Sequence, residues 1–232
     1  MGNSLLSNNR SMVFDEILDS MEKAEKRWTT FILGFWTLVA LYKINLHQDQ
    51  KFAKETIGFL PADQYRDKTC TNEELYNEMV PKGKPSLAED INLQHLVTMF
   101  SLLEALADEA EEIMVLPAGN DAKKYCLDKS KSHNLINFLL VTKSLEPSKL
   151  PEFCFARETR NCFIHKNGKF DDRACSEYKK CQEIDSNNKL KLKGSDEIRN
   201  GDEIREKLDF KHYQKFCRMI LEIGKELEKH VK

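Results

Sequence analysis

The chain has 232 residues, 41% of them hydrophobic, which is enough for a substantial core and points to one domain. Nine glycines and six prolines are too few for a linker-rich or fibrous protein. The 36 basic and 38 acidic side chains nearly cancel to a net charge of −2, which excludes a generally polybasic nucleic-acid binder and a strongly acidic disordered tail.

The apolar run from Phe31 to Tyr42 is broken by Thr37 and closed by Lys43, short of the roughly 20 residues that span a bilayer. It reads as a core helix segment, and no membrane partner is expected. The first residues are rich in Asn and Ser and hold no apolar signal core. Seven cysteines, an odd number with no Cys-x-x-Cys pair, suit a reducing compartment. The expected location is the cytoplasm.

From about Met12 to His47, Phe14, Ile17, Leu18, Met21, Trp28, Phe31, Ile32, Phe35, Val39 and Tyr42 recur at steps of three and four, predicting one long amphipathic helix behind a flexible lead of residues 1–11. Residues 48–85 lose this pattern and read as a loop-rich excursion, with a capping box at Thr71-Asn72-Glu73-Glu74. A second capping box, Ser86-Leu87-Ala88-Glu89, opens a helix that Pro117 and Gly119 end. The last turns of that helix carry Asp108, Glu109, Glu111 and Glu112, a solvated face or a contact for a cation or a basic partner.

A shorter, almost continuously apolar helix follows from about Ser132 to Ser144. Pro151 then starts a helix that runs to Lys166, where Asn167-Gly168 supplies a left-handed stop. Residues 169–208 are polar and turn-rich, with a candidate hairpin around Lys189 to Ile198. Asp209 caps a final helix with Phe210, Tyr213, Phe216, Cys217, Ile220, Ile223, Leu227 and Val231 on its inner face. Four or five amphipathic helices without βαβ alternation predict an all-α bundle, with a small polar insertion before the last helix.

Five of the six histidines stand without chemically useful company in the sequence; His165 does not. It belongs to the run Arg157-Glu158-Thr159-Arg160-Asn161-Cys162-Phe163-Ile164-His165-Lys166-Asn167-Gly168. On a helix Asn161 and His165 share a face, while Arg160 lies about 140° round from His165 and would have to reach the same place with its long side chain. A guanidinium donates paired hydrogen bonds to phosphate oxygens. An imidazole exchanges protons near neutral pH, and the negative end of a helix favours its charged form. The segment from Arg157 to Lys193 carries ten basic and six acidic residues, so anions are expected here before anywhere else.

Arg160-Asn161, three further residues, His165 and an Asn-Gly stop late in a helical chain resemble the HEPN superfamily, and in particular its Abi-like and RiboL-PSP-associated branch. The resemblance implies a HEPN-like bundle that cleaves RNA without metal or organic cofactor, the 2′-OH attacking the adjacent phosphate. It implies Arg160, Asn161 and His165 as catalytic residues, with Arg157 and Lys166 as RNA contacts. It further implies a homodimer joined through the motif helices, and a toxin–antitoxin, abortive-infection or other defence or RNA-processing setting with a possible antitoxin partner. Some members of the superfamily bind RNA or protein without cleaving, which leaves a silent binding module as the alternative. A zinc site built from Cys162, His165, Cys175 and Cys181 is chemically conceivable but has poor ligand spacing, so no metal is expected.

Overall fold

The structure, a computed structural model, describes residues 2–58, 69–80, 87–118, 134–184, 190, 192–193 and 197–232. Their helices run α1 (Gly2–Gln48), α2 (Gln50–Lys54), α3 (Asn72–Met79), α4 (Leu87–Ala118), α5 (Asn134–Val141), α6 (Leu150–His165), α7 (Asp172–Ile184), α8 (Ile204–Lys207) and α9 (Phe210–Val231). The class is all-α. The one ladder among the described residues pairs β1 (Thr56–Gly58) antiparallel with β2 (Thr69–Thr71), Ile57 opposite Cys70. The sequence reads as one domain; by compactness the chain divides into two units, Met1–Lys26 with Asn92–Lys232, and Arg27–Ile91.

The larger unit is built on stripes that repeat every three or four residues. On α1 the buried positions are Phe14, Leu18 and Met21; on α4 they are Leu93, Leu96, Met99, Phe100, Leu103, Leu106, Ala107 and Ala110. On α9 they are Tyr213, Phe216, Cys217, Ile220, Ile223 and Leu227. This spacing turns all of these side chains to one face of each helix, where burial removes them from water. The Asp209 cap is present as expected: its carboxylate accepts the N–H groups of Lys211 (2.9 Å) and His212 (3.2 Å) and meets the His212 ring at 2.6 Å. At Gly224 α9 lies close against its neighbours: a Cβ there would lie 3.1 Å from Leu106 and 3.4 Å from Leu18 and Met21.

α6 packs against both α7 and α9. Phe155, fully buried, is the joint: its ring meets Phe170 at 6.0 Å, Tyr178 at 5.3 Å and Phe216 at 5.9 Å. α7 falls inside the segment read as loop-rich. Its only apolar stripe is Ala174, Cys175 and Tyr178 on an otherwise polar helix, too thin a signal to register as periodicity. The candidate hairpin lies largely outside the described residues, although Leu190 and Leu192 are buried.

In the smaller unit, the capping box at Thr71 forms as expected: Glu74 N–H donates to the Thr71 hydroxyl at 3.2 Å and the Glu74 carboxylate accepts Thr71 N–H at 2.7 Å. Asn72 closes the unit locally by donating its amide to the Phe52 carbonyl at 2.8 Å. The excursion of residues 48–85 thus holds more regular structure than its composition announces. The Ser86 cap lies outside the described residues.

The reading of Phe31–Tyr42 as a core segment is half right. Trp28, Ile32, Phe35 and Val39 are buried, but Phe31, Leu33, Trp36, Leu38, Leu41 and Ile44 are 39–59% exposed. Within α1 the stretch Ser11–Gln48 has the length and hydropathy of a membrane span, which a run interrupted at Thr37 and Lys43 conceals; a core helix can pass the same test. The helix also extends back to Gly2, ahead of the expected start near Met12.

Candidate functional site

α6 begins at Leu150 with Pro151 in its first turn, where a missing N–H costs nothing, and ends at His165. Two consecutive left-handed residues end it as expected, Asn167 at φ +53° and Gly168 at φ +77°. Lys166 N–H and Gly168 N–H both donate to the Cys162 carbonyl, at 2.9 and 3.3 Å.

The chain beyond this stop is stitched to the turn before α8. Ile204 N–H donates to Gly168 O (2.9 Å), Phe170 N–H to Asp202 O (2.9 Å) and Gly201 N–H to Phe170 O (2.8 Å). These bonds bring Asn200 and Gly201 beside the end of the motif helix. Together they form an open cavity of about 660 Å³ lined by His165, Lys166, Asn167, Lys169, Phe170, Asp171, Asp172, Arg173, Asn200 and Gly201.

His165 and Lys166 are therefore exposed side chains on the wall of a cavity. Among the described residues no hydrogen bond or ion pair holds the His165 ring, so it is open to incoming groups. Lys166, Lys169 and Arg173 bring three positive charges to the lining, against Asp171 and Asp172. Neither acid is idle: Asp171 caps α7 by accepting Ala174 N–H at 3.0 Å, and Asp172 accepts the Asn200 amide at 3.0 Å. A carboxylate thus already occupies the N-terminus of α7, and phosphate would have to be drawn by the cations instead.

Arg160 and Asn161 meet each other, but they do not line this cavity. The Arg160 guanidinium donates to Asn161 Oδ1 at 3.1 Å and stands 3.5 Å from the Glu104 carboxylate on α4. The Asn161 amide donates in turn to Glu158 at 3.4 Å. Arg160 Nε is buried without a hydrogen-bond partner among the described residues. Arg157 is half-buried on the same helix. In one chain the motif is therefore split into an accessible histidine and an arginine held by an acid.

Glu104 is absent from any local reading of the motif, since it comes from a distant helix and only packing brings it to Arg160. Asn200 and Gly201 carried a weak signal, an Asn-Gly turn, that nothing in the sequence connects to His165.

The conceivable zinc set at Cys162 is not assembled. Cys162 is buried while His165 is exposed, and burial pushes the Cys162 thiol up to about 12. Burial likewise pushes Cys181 up to about 12 and Cys154 to about 11. Such thiols are poor nucleophiles near neutral pH.

Comparison of the chain with protein-family models, with curated proteins and with solved structures finds no match.

Proposed function

We propose that this protein is a HEPN-like endoribonuclease that cleaves RNA by attack of a 2′-OH on the adjacent phosphate, leaving a 2′,3′-cyclic phosphate and a free 5′-OH. The observation that carries the reading is His165, exposed on a cavity wall beside Lys166, Lys169 and Arg173 at the end of the helix that bears the Arg-Asn-x-x-x-His motif. Imidazole is suited to both proton transfers: it takes the proton of the attacking hydroxyl, or gives one to the departing 5′-oxygen. Arg160 is the phosphate clamp and Asn161 its orienting partner, while Lys166 and Arg157 contact the RNA backbone. Because one chain carries one motif, the composite cleft forms between two copies joined through α6. The setting that fits is a cytoplasmic toxin–antitoxin, abortive-infection or other defence or RNA-processing system, with an antitoxin as the further partner.

A second reading has its own observation. Arg160, Asn161, Glu158 and Glu104 form a chain of contacts that satisfies much of the motif internally. That favours a HEPN-like module that binds RNA or protein without cutting it.

The readings separate in one assay. Purified protein and its His165→Ala variant are incubated with single-stranded RNA in EDTA, and the product ends are examined. Cyclic phosphate ends that disappear in the variant support the nuclease. Uncut RNA retained on the protein supports the RNA-binding module, and neither cleavage nor retention refutes both RNA readings and leaves only a module that binds protein.

A further inference from the structure

A second group of chemically capable side chains lies inside the larger unit, apart from the residues of the motif. Glu25 on α1, His95 on α4 and Cys217 on α9 each offer one donor atom, and these atoms all lie within 4.8 Å of one another. Glu25 Oε2 and His95 Nε2 are 3.0 Å apart. His95 and Cys217 are buried, and the Glu25 side chain is only 13% exposed.

We propose that Glu25, His95 and Cys217 form a structural zinc site that ties α1, α4 and α9 together. Three arguments support it. The first is donor chemistry: one thiolate, one imidazole and one carboxylate suit a borderline-soft, tetrahedral ion, whereas magnesium or calcium would require oxygen donors throughout. The second is distance. Tetrahedral zinc at ordinary bond lengths separates its ligand atoms by about 3.3 to 3.6 Å, so the present spacing needs only small side-chain shifts to admit the ion.

The third argument is charge. A carboxylate beside an imidazole in an apolar interior is expensive to desolvate, and replacing both with apolar side chains is often no worse for stability. Zinc changes this balance. Binding displaces the thiol proton to solvent, along with the second imidazole proton where His95 carries one. The resulting thiolate and carboxylate cancel the two positive charges of the ion, leaving a neutral cluster fit for a core. Water completes the fourth position. The ion is a staple between helices and takes no part in the chemistry at His165.

Cobalt provides the test, because it reports its ligands by colour. The full-length protein is stripped with a chelator under reducing conditions and titrated with Co²⁺, then with Zn²⁺ in competition. The expected result is one equivalent per chain, visible bands of a tetrahedral ion, a near-ultraviolet sulfur-to-cobalt charge-transfer band, and bleaching of all of these by zinc. Zinc also raises the melting temperature. Glu25→Gln, which preserves volume, weakens binding while retaining the sulfur band. Cys217→Ser abolishes that band. Absence of the band in the wild-type protein, or its persistence in Cys217→Ser, would overturn the proposal; the first result needs no variant to fold.

Discussion

Phe155 provides the sharpest test of how the motif helix is held. Its ring is fully buried and touches aromatic side chains on α7 and α9 and in the segment between α6 and α7, so truncation to alanine opens a void that none of the three neighbours can fill alone. Loss of a buried phenylalanine side chain costs about 3–5 kcal/mol. The ring–ring contacts, worth about 0.5–1.5 kcal/mol each in isolation, place Phe155→Ala in the upper half of that range. For a chain of this size that corresponds to a fall in Tm of roughly 8–20 °C. Urea unfolding followed by far-ultraviolet circular dichroism measures it, with Phe31→Ala as the control because Phe31 is 51% exposed and its loss changes stability by less than about 1 kcal/mol. A loss below about 1.5 kcal/mol for Phe155→Ala, or one no larger than for Phe31→Ala, would refute the assignment of Phe155 as the joint of α6, α7 and α9.

The other expectations follow from caps, strain, burial and charge. Gly168→Ala places a side chain at φ +77° with only Phe163 nearby, at 4.0 Å, so its cost of about 1–2 kcal/mol is conformational; the same denaturation assay reads it, and a neutral result contradicts the left-handed stop. Asp209 is held below its ordinary 3.8: burial pushes its carboxyl up, but the His212 charge and the N–H groups of His212 and Lys211 outweigh that. Its contribution is complete above pH 3.8 and fades as pH falls through that value toward the lower folded one, so the roughly 1 kcal/mol lost in Asp209→Ala at pH 7 shrinks in acid denaturation curves. At pH 8, iodoacetamide labels folded Cys162 and Cys181, pushed up to about 12, roughly a thousandfold more slowly than an ordinary thiol, and Cys154, at about 11, roughly a hundredfold more slowly. Single-stranded RNA held by Lys166, Lys169 and Arg173 together with the proposed contacts Arg157 and Arg160 of one chain gives a slope of log affinity against log salt of about −3.5; a cleft shared by two copies gives about −7.

What the sequence revealed and concealed follows from the range of each interaction. The stripes of α1 and α9, the boxes at Thr71 and Asp209 and the stop at Asn167-Gly168 depend on residues within a few positions of one another. Spacing and residue type therefore report them directly. α7 was concealed because its interior face is three residues wide on a helix that is otherwise largely polar. The exposure of Phe31, Trp36 and Leu41 was concealed for the opposite reason: an apolar residue in a helical period looks like core whether or not another element covers it. Arg160 with Glu104, and Glu25 with His95 and Cys217, join separate helices, and no local pattern announces such meetings. His95 read as an unremarkable histidine on those grounds.

The Arg160–Glu104 contact bears on both functional readings, and magnitudes decide how strongly. At 3.5 Å, with the arginine side chain 18% and the glutamate 41% exposed, the pair belongs to the class of partly solvated bridges worth no more than about 1 kcal/mol. A phosphate engaged by the same guanidinium through charge-assisted hydrogen bonds gains about 1.5–3 kcal/mol. The acid is therefore a weaker partner than the ligand, and it holds Arg160 without disabling it. Release also removes a cost, because Arg160 Nε is buried with no hydrogen-bond partner among the described residues and swinging outward lets it be solvated. Asn161 is fixed on both sides, by Arg160 and by Glu158, so an arginine that leaves Glu104 pivots about a stationary amide. The resting contacts that favour the silent module are thus weak enough for phosphate to displace, and they leave the guanidinium available to a clamp that closes only when phosphate is present.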